Sequence, residues 1–160
     1  MALTKINNNT LSAITGLPAG VGGKVLQVVS TAKTDSFSTT ATSDTAVTGL
    51  SLSITPSSSS NKIYVICTTP TKSNNTGGYL GSISIYRNAT RIVGGQAGAA
   101  GTSAIIQSSI SILDTPNTTS AITYQLYAKS EGNSSGVLIN TTSFVVDDEK
   151  AVLTAYEIAG

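Results

Sequence analysis

Few residues in this chain are of a type that does chemistry. There is no histidine and a single cysteine, Cys67, and nine basic side chains stand against eight acidic ones. Without histidine there is no Ser-His-Asp or Cys-His nucleophile system and no imidazole to hold zinc, and one thiol cannot build a cysteine zinc cluster. Cys67 closes the apolar run Ile63-Tyr64-Val65-Ile66-Cys67, where a thiol behaves as a small hydrophobe and lacks the polarising neighbour that reactivity needs. Asp147-Asp148-Glu149 is the one acidic cluster. Its oxygens could hold a cation, but the spacing is not the Gly-punctuated alternation of a calcium loop, so it reads as a solvated turn before the last strand. No carboxylate pair is visibly placed for glycan hydrolysis. We therefore assign no catalytic residue, no metal ligand and no cofactor, and expect no enzyme.

Other candidates also resolve into ordinary structure. Gly94-Gly95-Gln96-Ala97-Gly98-Ala99-Ala100-Gly101 has the small residues of a phosphate cradle but no Gly-Lys-Ser/Thr sequel and no helix, so it reads as a connection between strands. A net charge of +1 with 11% charged residues leaves no basic stripe for nucleic acid. Asn-x-Ser/Thr triplets begin at Asn8, Asn74, Asn88, Asn117, Asn133 and Asn140, as abundant Asn, Ser and Thr will produce by chance. Arg87 and Arg91 flank Asn88-Ala89-Thr90, a hairpin tip whose charges are by default solvated. The six tyrosines are the main large side chains, and there is no Trp. They read as core or sheet-face residues.

The elements that carry these residues are strands. At 160 residues with 39% hydrophobic content the chain fits one folded domain. Residues 1–23 stand apart: the polar Asn7-Asn8-Asn9-Thr10, the Gly-Pro cluster Gly16–Gly23, and isolated Leu3, Ile6, Leu11, Ile14 and Leu17. They read as an extended arm that sets single apolar side chains into a partner's grooves, and the five aliphatic residues are its expected contacts. The polar interruptions exclude a signal peptide core, and no membrane span is expected.

From Lys24 the hydrophobic period becomes two. Strands are expected over 24–29, 50–54, 62–69, 80–87, 105–113, 121–129, 136–141 and 151–158, the last with Val152, Thr154, Tyr156 and Ile158 aligned. Short strands, frequent turn signals and no helix-length segment imply an all-β, antiparallel β-sandwich or jelly roll over 24–160, preceded by the arm. Ser51–Ser57 before Ile63-Tyr64-Val65 echoes Ser109–Asn117 before Ile122-Thr123-Tyr124, and both read as hairpins with a Pro-led loop.

The opening Met1-Ala2-Leu3-Thr4-Lys5-Ile6-Asn7-Asn8-Asn9, the lead into Gly23-Lys24-Val25-Leu26-Gln27-Val28, the stretch Leu50–Ser57 with Lys62-Ile63, and the ending Thr154–Gly160 resemble small virion proteins of marine and freshwater phages. These are commonly labelled tail fibre-like, and their pattern is similar to trimeric jelly rolls of the tumour necrosis factor type. The resemblance covers nearly the whole chain and brings no catalytic residues. It implies a homotrimeric structural protein on the exterior of the phage particle, assembled in the bacterial cytoplasm. One short arm and one domain suit a capsid decoration or cement protein bound to the major capsid protein. The alternative is a tail fibre or receptor-binding protein attached to tail proteins, with loops 72–78 and 133–136 touching the host surface.

Overall fold

The computed structural model describes residues 24–73, 80–98, 104–132, 136–140 and 150–160. The five aliphatic residues of the arm and the Asp147–Glu149 cluster lie outside the described residues. Ten strands follow in order: β1 Val25–Lys33, β2 Phe37–Thr39, β3 Thr45–Ile54, β4 Lys62–Ser73, β5 Gly81–Arg87, β6 Thr90–Ala97, β7 Ile105–Asp114, β8 Ile122–Ser130, β9 Val137–Ile139 and β10 Ala151–Ile158. No helix is found among the described residues.

All pairings are antiparallel and form two sheets. One runs β3-β8-β5-β6. In the other, β1 pairs β10, β10 pairs β4, and β7 lies along the opposite edge of β4. The short β9 continues the edge of β4 beyond β10, at Thr71–Ser73, and carries β2 outside it. Stripped of β2 and β9, the orders β1-β10-β4-β7 and β3-β8-β5-β6 are those of an eight-stranded jelly roll.

Alternation puts one face of every strand between the sheets. Ile63, Val65 and Cys67 of β4 meet Ile122, Tyr124, Leu126 and Ala128 of β8, Ile83 and Ile85 of β5, and Leu153 and Ala155 of β10 in one continuous core. β3 reaches it through a bulge between Ala46 and Ser51, where Gly49 at φ +83° takes a backbone conformation that β-carbon-bearing residues avoid.

Two expectations are corrected. The two Pro-led segments are not hairpins: β3 to β4 and β7 to β8 each cross from one sheet to the other, so the echo marks two inter-sheet corners. Gly94–Ala97 is not a connection but the end of β6, an edge strand whose pairing with β5 tolerates missing side chains. In β10 Val152, Thr154, Tyr156 and Ile158 do share one face; it is the outer one, and the inward residues are Ala151, Leu153, Ala155 and Glu157.

Glu157 is 1% exposed yet has no cationic partner. It accepts from Gln27 Nε2 (2.6 Å), Ser57 N (2.6 Å), Ser57 Oγ (2.8 Å) and Asn61 Nδ2 (2.6 Å), tying β1 and the β3–β4 corner to the last strand. Burial alone would raise its pKa, but the donors from Asn61, Gln27 and Ser57 outweigh it and hold the carboxyl down at about 2, from 4.5. A depressed carboxylate stabilises the fold above its unfolded pKa and loses that contribution as it protonates. Denaturant unfolding should therefore show stability constant above about pH 5 and falling between pH 4.5 and 2. Glu157→Gln should cost about 3 kcal/mol at pH 7, because four donors lose a charged acceptor, and should flatten that acid slope.

Candidate interaction face

The outer face of the β1-β10-β4-β7 sheet is where the molecule departs from an ordinary solvated surface. Register aligns Val28, Tyr156, Tyr64 and Leu113 in one row across the four strands. The next row is Ser30, Thr154, Ile66 and Ser111, and the next Ala32, Val152, Thr68 and Ser109. Val28 is 54% exposed and Leu113 50%, and the Tyr64 and Tyr156 rings lie between them with centroids 6.1 Å apart. Val25, paired with Ile158, extends the apolar surface at the start of β1. No charged side chain stands in these three rows; Lys62, paired with Ile158 beside Val25, and Lys72 point to the same face at its two ends.

The other sheet shows the reverse. Its outer face carries Arg91, Lys129 and Glu131 with Asp44 beside it, and the stacked rings of Tyr86 and Tyr127. The sandwich is thus two-sided: one broad face with charge only at its ends, from Lys62 and Lys72, and one with charges of both signs. Among the described residues, every exposed large hydrophobic side chain (Val25, Leu26, Val28, Ile106 and Leu113) belongs to β1 or β7 of the first sheet. Val25, Val28 and Leu113 lie on the outer face with the tyrosine row, whereas Ile106, paired with Thr71, has the inward parity of Ile110 and Ile112; the three outward side chains and the two rings form an apolar patch.

The predicted residues distribute as follows. The hairpin tip at Asn88 is real, with Asn88 at φ +52°, but Arg87 turns inward. Its Nη1 donates to Asp114 Oδ1 at 2.9 Å and Oδ2 at 3.0 Å, while Tyr124 Oη donates to the same Oδ2 at 2.6 Å. This joins β5 and β8 of one sheet to β7 of the other and is structural. Burial, followed by the bond to Asp114, pushes the Tyr124 phenol far above its ordinary range. No group of three or more metal-ligating side chains occurs among the described residues. This face was missed because each of its strands was read for one apolar face only. The signal was present in Ile63–Cys67 and in Ala151-Val152-Leu153, which are apolar at consecutive positions, as strands covered on both faces are.

No protein-family model and no curated protein sequence matches the chain. Among solved structures it is similar to PRD1 vertex protein P5, with a TM-score of 0.48 and 15% identity over 86% of this chain and 100% of that one. It is also similar to VP2 of infectious bursal disease virus in a subviral particle, with a TM-score of 0.41 and 11% identity over 82% of this chain and 39% of that one. Latent PorU from Porphyromonas gingivalis gives a TM-score of 0.40 and 9% identity over 86% of this chain and 14% of that one. The chain thus spans well under half the length of VP2 and PorU. At these identities the likeness concerns the fold.

Cys67 is fully buried, and desolvation pushes its thiol up to about 12. A thiol reagent at pH 8 should find no reactive group in the native protein and one per chain in denaturant, read as thiol absorbance with time.

Proposed function

We propose that this chain is a structural protein of a phage particle: a homotrimeric capsid decoration protein that strengthens the shell through its N-terminal arm. The observation that carries the reading is the charge-free central rows of the outer face of the β1-β10-β4-β7 sheet, with Val28, Tyr156, Tyr64 and Leu113 in one of them. These rows can be buried against a second copy without desolvating ions while Lys62 and Lys72, at the ends of the face, keep their ammonium groups in water, so association there is driven by apolar area. Around a threefold axis each copy offers this face to its neighbours, leaving the charged face of the other sheet turned outwards. The resemblance to small phage virion proteins favours the same assignment.

β1, which residues 1–23 precede in the sequence, carries exposed Val25 and Val28 at the margin of this face. From a trimer, three arms leave together. Leu3, Ile6, Leu11, Ile14 and Leu17 would each bury modest area on the major capsid protein, and three linked arms multiply weak contacts into firm attachment. The added interface bridges neighbouring shell subunits and resists internal pressure without chemistry.

Light scattering behind size exclusion should give the mass of three chains. Val28→Glu, which places a charge in the apolar row at a position exposed in the single chain, should give one chain with the native circular dichroism spectrum. A wild-type monomer would overturn the trimer. Removal of residues 1–20 should leave a soluble trimer that no longer cosediments with capsids; retained cosedimentation would refute the arm as the clip. Immunogold labelling of particles should mark heads, and labelled tails would instead support the receptor-binding reading.

A further inference from the structure

On the opposite side of the sandwich, the outer face of β3-β8-β5-β6 holds a cluster that the assembly reading does not use. Ser84 points to this face, because its neighbours Ile83 and Ile85 fill the core. Register places Ser84 between Tyr127 of β8 and Gly94 of β6, and the adjoining outward residue Tyr86 next to Gln125. The Tyr86 and Tyr127 rings stack with centroids 4.0 Å apart. Tyr86 Oη donates to Asp44 Oδ2 at 2.6 Å, and Arg91 Nε lies 3.9 Å from the same oxygen. The Arg91 guanidinium reaches back over Gly94: a β-carbon there would collide with it, so the glycine is what lets the arginine lie flat on the sheet.

Two polar atoms of this cluster, Ser84 Oγ and Asp44 Oδ1, find no hydrogen-bond partner among the described residues although they are shielded from solvent, and Ser84 is 0% exposed. A buried hydroxyl and a buried carboxylate oxygen left unpaired cost free energy that a sheet surface has no structural reason to bear. They lie beside an aromatic pair and beneath an arginine that is 45% exposed and can swing on its flexible stem. Lifting the guanidinium would uncover a shallow pit floored by Ser84 and Gly94, walled by Tyr127 and Tyr86, with Asp44 at its rim. Such a pit combines an apolar ring wall with a hydroxyl, a lone carboxylate oxygen and guanidinium donors. Across the face the charges balance, Arg91 and Lys129 against Asp44 and Glu131, which disfavours a strongly anionic ligand.

We propose that this face binds a neutral saccharide, one sugar ring resting on the Tyr86–Tyr127 pair while its hydroxyls bond Asp44 Oδ1, Ser84 Oγ and Arg91. Aromatic rings offer the C–H face of a pyranose an apolar platform, and hydroxyl groups donate to the carboxylate and accept from the guanidinium. The site is independent of where the protein sits on a particle.

The full-length chain is applied to an array of oligosaccharides ending in glucose, galactose, N-acetylglucosamine or sialic acid, and the best neutral binder is titrated by calorimetry. A neutral saccharide is expected to bind, with Asp44→Asn and Ser84→Ala each lowering affinity about tenfold. Ser59→Ala, exposed in the β3–β4 corner, should leave affinity unchanged. Ser84→Ala removes an unsatisfied hydroxyl, so its thermal midpoint should hold or rise while binding falls, a combination that a purely structural serine would not give. No binding at about 10 mM saccharide, binding of sialylated sugars alone, or affinity untouched by Asp44→Asn and Ser84→Ala would each overturn the proposal.

Discussion

Strand β4 is taken up along both edges, by β10 and then β9 on one side and by β7 on the other, and this double pairing organises the rest of the molecule. A strand fixed at both edges cannot slip by one residue without breaking two ladders and turning Ile63, Val65 and Cys67 out of the core together. Its register therefore sets that of β10 and β7, and through β10 that of β1. Once β4 is placed, its inward residues need a cover of comparable width, and only the sheet built around β8 and β5 supplies one. The jelly-roll order follows from closing these two sheets with short corners and no helices.

The corners and seams are held by the few polar groups the composition allows. Glu157 and Asp114 occupy different seams, and each solves the same problem of a carboxylate in a dry place. Glu157 gathers neutral donors from β1 and the β3–β4 corner, so the last strand cannot leave without stripping a buried anion of its hydrogen bonds. Asp114 gathers Arg87 and Tyr124 from the facing sheet. Neither arrangement adds much to stability beyond what well-packed apolar groups would give, but each penalises alternatives, since a shifted register leaves a charge without partners. In a chain with 11% charged residues, specificity of this kind falls to single side chains.

Where alternation was strong, the sequence was sufficient: β8 presents Ile122, Tyr124, Leu126 and Ala128 inward as its pattern implies, and the limits of β10 agree to the residue. It failed where two faces compete. In β10 alternation aligned Val152, Thr154, Tyr156 and Ile158 on one face but did not say which face is inner; the second sheet lies on the side of Ala151, Leu153, Ala155 and Glu157. β6 was hidden because Gly94 and Gly95 remove the side chains by which a strand is recognised, and β2 is only three residues long. The inter-sheet corners resembled hairpins because Pro and Ser reverse a chain in the same way whether it returns to its own sheet or crosses to the other. The cluster around Ser84 had no signature, since it joins β3, β5, β6 and β8 through register alone.

These failures share one cause, which bears on function. A sequence shows that a strand has two apolar faces but not which of them the chain itself covers. In β1, β4, β7 and β10 the inner face is covered within the fold, while the outer one leaves Val25, Val28 and Leu113 exposed around two tyrosines. The opposite sheet makes the contrast interpretable. Its outer face has the same pleat, yet it is furnished with charges of both signs and stacked tyrosines, whereas the first face carries charge only at the two ends of β4, as Lys62 and Lys72. A sandwich divided in this way has a preferred side to lean on and a side to present, and an assembly that buries the first leaves the second facing the medium.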